Sequence, residues 1–188
     1  MKIKDLVGVQ PAEQSRVTVM ARTSFQALLE PKPNRFDPTK EPKYECTFII
    51  KLKDVDSVNA VKAAILCAYK KGKAKHGNAW KPSEGKIPLR YGEDNHENRT
   101  EFEDSVYFTA RDAIKPMVVD RNKQPITDHE QIYSGCYGYA VVEFYPYKSG
   151  NGGISCSLQG FMKIADGENL EYSRDTSAFF NDVQTDLH

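Results

Sequence analysis

The chain contains no apolar run approaching the roughly 18 residues that a membrane-crossing helix requires, and its opening MKIKDLVGVQ is not followed by one. A soluble protein of the cytoplasm is therefore expected. CxxC is also missing: the four cysteines, Cys46, Cys67, Cys136 and Cys156, stand far apart in apolar segments. That spacing argues against a zinc ribbon or a disulfide framework and for reduced core thiols. No G-x-S-x-G, P-loop or HExxH pattern occurs; His96 precedes Glu97, but position 100 is Thr. Neither metal nor cofactor is expected. Net charge of either sign is absent too, since 26 basic residues balance 26 acidic ones.

The balance hides a division. From Asp166 onward six acids (Asp166, Glu168, Glu171, Asp175, Asp182, Asp186) face one base, Arg174. Taking these from the totals of 26 and 26 leaves 25 bases and 20 acids in residues 1–165. A body near +5 thus carries a tail near −5 on this formal count, a split compatible with nucleic-acid binding and equally with a solvated end. The domain expected is 1–165, followed by an acidic, flexible tail, 166–188. At 188 residues the chain can bury one real core, and no break in composition suggests two.

What the sequence does have is tyrosine, concentrated in YSGCYGYAVVEFYPY, Tyr133 to Tyr147. Side chains alternate between the faces of a strand. Cys136, Gly138, Ala140, Val142 and Phe144 then form a core face, and Tyr137, Tyr139, Val141, Glu143, Tyr145 and Tyr147 the opposite one. After the turn KSGNGG the run ISCSLQGFMK repeats the division, with Ile154, Cys156, Leu158 and Met162 inward and Ser155, Ser157, Gln159, Phe161 and Lys163 outward. The turn residues tolerate positive φ, which predicts an antiparallel hairpin. Its outer face offers rings among hydroxyls, amides and a lysine, as a base-stacking surface requires. A covering helix or a second copy of the chain explains such a face equally well.

Upstream, RVTVMA alternates from Arg16, with Arg16, Thr18 and Met20 on one side. EPKPNRFDPTKEPK, with four prolines, predicts a loop. YECTFIIKLK is a strand with Tyr44, Cys46, Phe48 and Ile50 on one face. Asp54 or Asp56 caps a helix in which Val58, Val61, Ile65 and Ala68 recur at helical spacing, about four to five turns long. Lys70, Lys71, Lys73, Lys75 and His76 at its end complement the helix dipole, with phosphate contact by Lys73 as the sharper alternative. Gly77 to Asp104 reads as irregular; SVYFTA and PMVV are extended, and DRNKQPITD is a turn. Five or six strands with one central helix, and no regular strand–helix alternation, predict a mainly β fold: an OB-fold-like antiparallel barrel.

The blocks EPKYECTFII, AVKAAI, PLRYGE, VVDRNKQPI, YSGCYG and the hairpin ending in ADGE, in that order from Arg16 to Glu168, resemble the phage-encoded single-stranded-DNA-binding proteins with an OB-fold. The resemblance implies a non-enzymatic role in phage DNA replication and recombination: coating exposed strands and recruiting polymerase or helicase through an acidic C-terminal tail. It also implies a basic residue where this chain has Tyr139, and a terminal aromatic where Phe179 and Phe180 lie inside the tail.

Sequence-independent binding of single-stranded DNA is the leading expectation. Tyr137, Tyr139 and Tyr145 would stack bases, and Arg111, Lys115, Arg121 and Lys163 would contact phosphates. Its partners are single-stranded DNA, replication proteins and, in some arrangement, a second copy in a homodimer. Two alternatives stay open: a metal-dependent nucleic-acid hydrolase, and a virion or assembly protein whose tyrosine face is a subunit interface.

Overall fold

The computed structural model describes residues 3–6, 8–34, 37–83, 85–94, 99–150 and 152–170. Seven strands and one long helix follow in the order β1 (Arg16–Lys32), β2 (Lys43–Lys51), α1 (Val55–His76), β3 (Arg90–Tyr91), β4 (Ser105–Asp112), β5 (Met117–Val119), β6 (Tyr137–Tyr147) and β7 (Gly153–Ala165). They form one sheet, ordered β3-β4-β2-β1-β6-β7-β5. The mainly β fold with a single central helix is as expected. The strands number seven rather than five or six, because the segment read as irregular supplies the two-residue β3.

The sheet curls without closing. Its hydrogen-bonded order ends at β3 and β5, while β4 and β7 come side by side with no ladder between them. What joins them is side chains: Ser157 of β7 hydrogen-bonds the Asp112 carboxylate of β4, and the Phe48 ring of β2 lies between Phe108 of β4 and Phe161 of β7, at 5.6 and 6.1 Å between ring centres. One pair, β5 with β7, is parallel, against the all-antiparallel expectation. Strand β5 follows β4 after residues 113–116 and pairs with the edge of β7 that β6 leaves free.

Strand β1 is longer than the alternation predicted. It runs 17 residues, through two register shifts on β2, into the proline-rich segment as far as Lys32. Pro31 is tolerated because only β2 is paired with this end of the strand, leaving the other side without a ladder. The loop itself is 33–42; Arg35 and Phe36 lie outside the described residues.

Helix α1 starts where predicted, with the Asp54 carboxylate accepting from the Ser57 amide at 3.1 Å. It runs 22 residues, about six turns. Val58, Val61, Ala64, Ile65 and Ala68 are buried. Its last turns rest on Trp80: a Cβ added at Gly72 would run into the indole ring. Gly72→Ala should therefore expel Trp80, with a net loss of about 1–2 kcal/mol, because overpacking costs about 1–3 kcal/mol and the helix regains less than about 1. Trp80 is the only tryptophan, so its emission should shift to the red along with a lower denaturation midpoint; an unchanged spectrum and midpoint would contradict this packing.

The core lies inside the curl. Phe48, Phe108, Phe144, Phe161, Leu28, Ile50, Ile65 and Leu158 are essentially inaccessible. All four cysteines are buried and unpaired, and burial pushes the Cys46 and Cys156 thiols well above their ordinary pKa.

Candidate nucleic-acid interface

Strand β6 alternates as its sequence predicts. Cys136, Gly138, Ala140, Val142 and Phe144 face the core, whereas Tyr137, Tyr139 and Tyr145 are 38, 41 and 43 % exposed on the other side. Strand β1 flanks them, placing Arg22 opposite Tyr137, Met20 opposite Tyr139 and Arg16 opposite Glu143. The Arg22 guanidinium lies 5.6 Å from the Tyr137 ring centre, a cation–π distance. Glu143, the acid in this surface, accepts from Arg16 at 3.4 Å and from the Gln159 amide at 2.9 Å.

Strand β7 breaks the predicted alternation. Phe161, read as outward, is buried at 1 % exposure. The reason is a bulge: Val141 pairs with Gly160 but Val142 with Leu158, so Gln159 is the extra residue. One inserted residue exchanges the faces of everything beyond it, and Met162 rather than Phe161 comes to lie beside Tyr139. Lys163 is carried to the end of the strand. There its ammonium donates to the Gln131 carbonyl at 2.7 Å, pairs with Asp166 at 2.7 Å and sits 5.2 Å from the Tyr133 ring centre. Hydrogen bonds from Lys163 and Tyr133 hold the Asp166 carboxyl below the usual carboxylate range. Arg121 donates to the Ile164 carbonyl nearby.

Residues 166–170 stay at this end. Arg22 donates to the Glu168 carbonyl at 3.0 Å, and the Leu170 amide donates to the Ser134 carbonyl at 2.7 Å.

The opposite end of β6 leads into a cleft of about 380 Å³ over the β4–β7 seam. Tyr145 pairs with Ser155, which lines the cleft with Lys86, Arg90, Tyr107, Arg111 and Tyr147. The wall is built by backbone: the Ile154 amide donates to the Lys86 carbonyl at 2.9 Å. Gly153 makes room, since a Cβ there would collide with the Tyr147 hydroxyl. Arg111 donates to Glu45 at 2.8 Å, with more than half its side chain exposed. Burial raises the Tyr107 phenol above its ordinary pKa, with Arg90 opposing the rise.

The predicted residues thus fall into two groups. Tyr137 and Tyr139 share one end of the outer face, and Tyr145 and Arg111 the cleft end; Lys163, paired with the core-facing Gly138, and Arg121, bonded to the Ile164 carbonyl, lie at the end of β7 rather than on the outer face. Lys115 is exposed on the loop leaving β4, and Lys73 lies 5.3 Å from the Tyr69 ring centre in the last turn of α1, away from both groups in its contacts. Arg22, Lys86, Arg90 and Tyr107 were not anticipated. Continuing the β1 alternation two residues past Met20 would have found Arg22; a two-residue strand such as β3 leaves no such trace. His96 and Glu97 lie outside the described residues, and among the described residues no three His, Cys, Asp or Glu side chains come together.

Fold and surface define an OB-like β-protein with an open aromatic face edged by cations. The chain belongs to the family described as Enterobacter phage Enc34, ssDNA-binding protein, which matches residues 15–187. It is 31 % identical over 147 residues to protein p50 of Acyrthosiphon pisum secondary endosymbiont phage 1, covering 72 % of this chain and 79 % of that one. Among solved structures it resembles the single-stranded DNA-binding protein from bacteriophage Enc34 in complex with ssDNA, with a TM-score of 0.71 at 21 % identity over 88 % of this chain and 99 % of that one. It also resembles gp2.5, a single-stranded DNA binding protein encoded by bacteriophage T7, with a TM-score of 0.57 at 17 % identity over 92 % of this chain and 97 % of that one. Both likenesses concern the fold.

Proposed function

We propose that this chain binds single-stranded DNA without regard to sequence, as a non-enzymatic coat acting in phage DNA replication and recombination. The observation that carries it is the joining of an exposed tyrosine row on β6 to a cleft walled by Lys86, Arg90 and Arg111. Bases stack on Tyr137, Tyr139 and Tyr145, which is sequence-blind because every base presents a π face. Phosphates meet Lys86, Arg90, Arg111 and Lys115, the arginines by their planar fork. Arg121, Lys163 and Lys73, each already held within the protein, add to the surrounding positive field.

The described residues contain no helix long and apolar enough to cross a membrane, and the proposed place of action is the host-cell cytoplasm. The proposed organisation is a binding domain of residues 1–165 and an acidic tail, 166–188, that meets replication proteins such as polymerase or helicase; a homodimer is the further arrangement in view.

A titration against oligothymidylate at several salt concentrations tests the binding. Each phosphate neutralised on a single strand contributes about −0.7 to the log–log slope, so four cationic contacts predict a slope of roughly −3. A slope indistinguishable from zero would remove the phosphate contacts, and affinity for duplex equal to that for single strands of the same length would remove the stacking.

A further inference from the structure

The outer surface holds one more costly aromatic. Phe25 lies in the middle of β1, yet its φ is +49° and its ring is 45 % exposed. A bulky residue seldom adopts this left-handed conformation, and in a bulge of this kind glycine normally occupies the position. The register of β1 on β2 shifts between Ser24 and Ala27, so the bulge turns the Phe25 ring out of the sheet. Backbone strain and an exposed ring both oppose stability. Neither is needed to form the strand, since a glycine here would relieve the first and remove the second, at the loss of the ring's contact with Arg99.

The surroundings suggest what the ring is for. The Arg99 guanidinium, itself paired with the buried Glu101 carboxylate, lies 4.5 Å from the Phe25 ring centre and 5.6 Å from that of Phe102, and Phe102 meets Tyr107 edge-on at 5.1 Å. Tyr107 and Arg90 belong to the cleft. In the other direction, Arg22 precedes Phe25 by three residues, about 10 Å of strand, and carries Tyr137 beside it. Phe25 therefore lies on β1 beyond the Tyr137 end of the tyrosine row, with Arg22 before it and Arg99 over its ring, while Phe102 and Tyr107 behind Arg99 are buried.

We propose that Phe25 is a nucleobase-stacking site, held out by the bulge to support an unpaired base where the strand runs on past the Tyr137 end of the tyrosine row. The proposal rests on the single-stranded-DNA reading and extends it across β1.

Phe25→Gly and Phe25→Trp test it in the full chain with oligothymidylate as the probe. Glycine accepts φ +49°, and the relieved strain offsets the lost Arg99 contact, so Phe25→Gly should fold with a melting temperature close to that of the wild type while affinity falls roughly 5- to 140-fold, the equivalent of about 1 to 3 kcal/mol for one stacked base. Phe25→Trp should retain affinity, and the emission of its introduced indole, separable from that of buried Trp80, should be quenched as oligothymidylate binds. Wild-type affinity in Phe25→Gly would overturn the proposal. Should that variant not fold, unaltered emission from the introduced indole of Phe25→Trp at saturating oligothymidylate would overturn it instead. A wild-type chain that fails to bind oligothymidylate would sink the underlying reading, whereas normal wild-type binding with an indifferent Phe25 would sink this inference alone.

Discussion

Exchanging Tyr139 and Tyr145 together for alanine should weaken oligothymidylate binding by about 2 to 6 kcal/mol, a factor of roughly 30 to 20,000, at about one to three kcal/mol per stacked base. Both rings project into solvent at 41 and 43 % exposure, so their removal opens no cavity. They stand six positions apart along the strand, about 20 Å, far enough for the two losses to add. Tyr137 is the poorer choice, because its ring packs at Gly167 as well: a Cβ on that glycine would lie 2.8 Å from it. Fluorescence polarisation on a labelled oligothymidylate gives the affinity, and thermal melting checks the fold. A loss below about threefold with an intact melting curve would show that bases do not rest on β6, since one stacked base alone is worth more.

The largest effect on stability should come from Phe48→Ala. Phe48 is fully buried, with ring centres 5.6 Å from Phe108 on β4 and 6.1 Å from Phe161 on β7. It is the ring that β4 and β7 share where no backbone ladder joins them. Truncating a buried phenylalanine costs about 3 to 5 kcal/mol. For a domain of this size each kcal/mol lowers the melting temperature by about 2 to 4 °C, which gives a fall of roughly 6 to 20 °C. Because the cleft straddles the same seam, DNA affinity should also fall, and less than in the tyrosine double variant, since the outer cations remain. A destabilisation under about 1 kcal/mol by urea denaturation would mean that the seam is held elsewhere.

Much of this was legible in the residues. The outward row on β6 followed from period two alone, because that strand keeps its own alternation along its whole length. Asp54 as a cap, and the buried stripe of α1, followed from local chemistry that needs no partner. Phe161 did not. Its side of the sheet depends on Gln159 being the bulged residue, and a bulge is a relation between two strands, invisible in either one. Lys163 is available for phosphate contact in the sequence alone, because its neighbours along the chain do not include Gln131 or Tyr133, which the fold brings to it.

The candidate site divides along the same line. Tyr137, Tyr139 and Tyr145 were found from the chain, whereas Lys86, Arg90 and Tyr107 became a cleft only when β4 and β7 met. By itself the sequence determined which segments extend or coil, which faces are apolar, and where rings concentrate, since those depend on side-chain periodicity and local backbone preference. Tertiary structure alone decided the open seam, the exchange of faces on β7 and the meeting of cations from β3, β4 and the 85–89 segment. The physical reason is that pairing register and closure are settled by contacts between residues far apart in the chain, where no local pattern constrains the outcome.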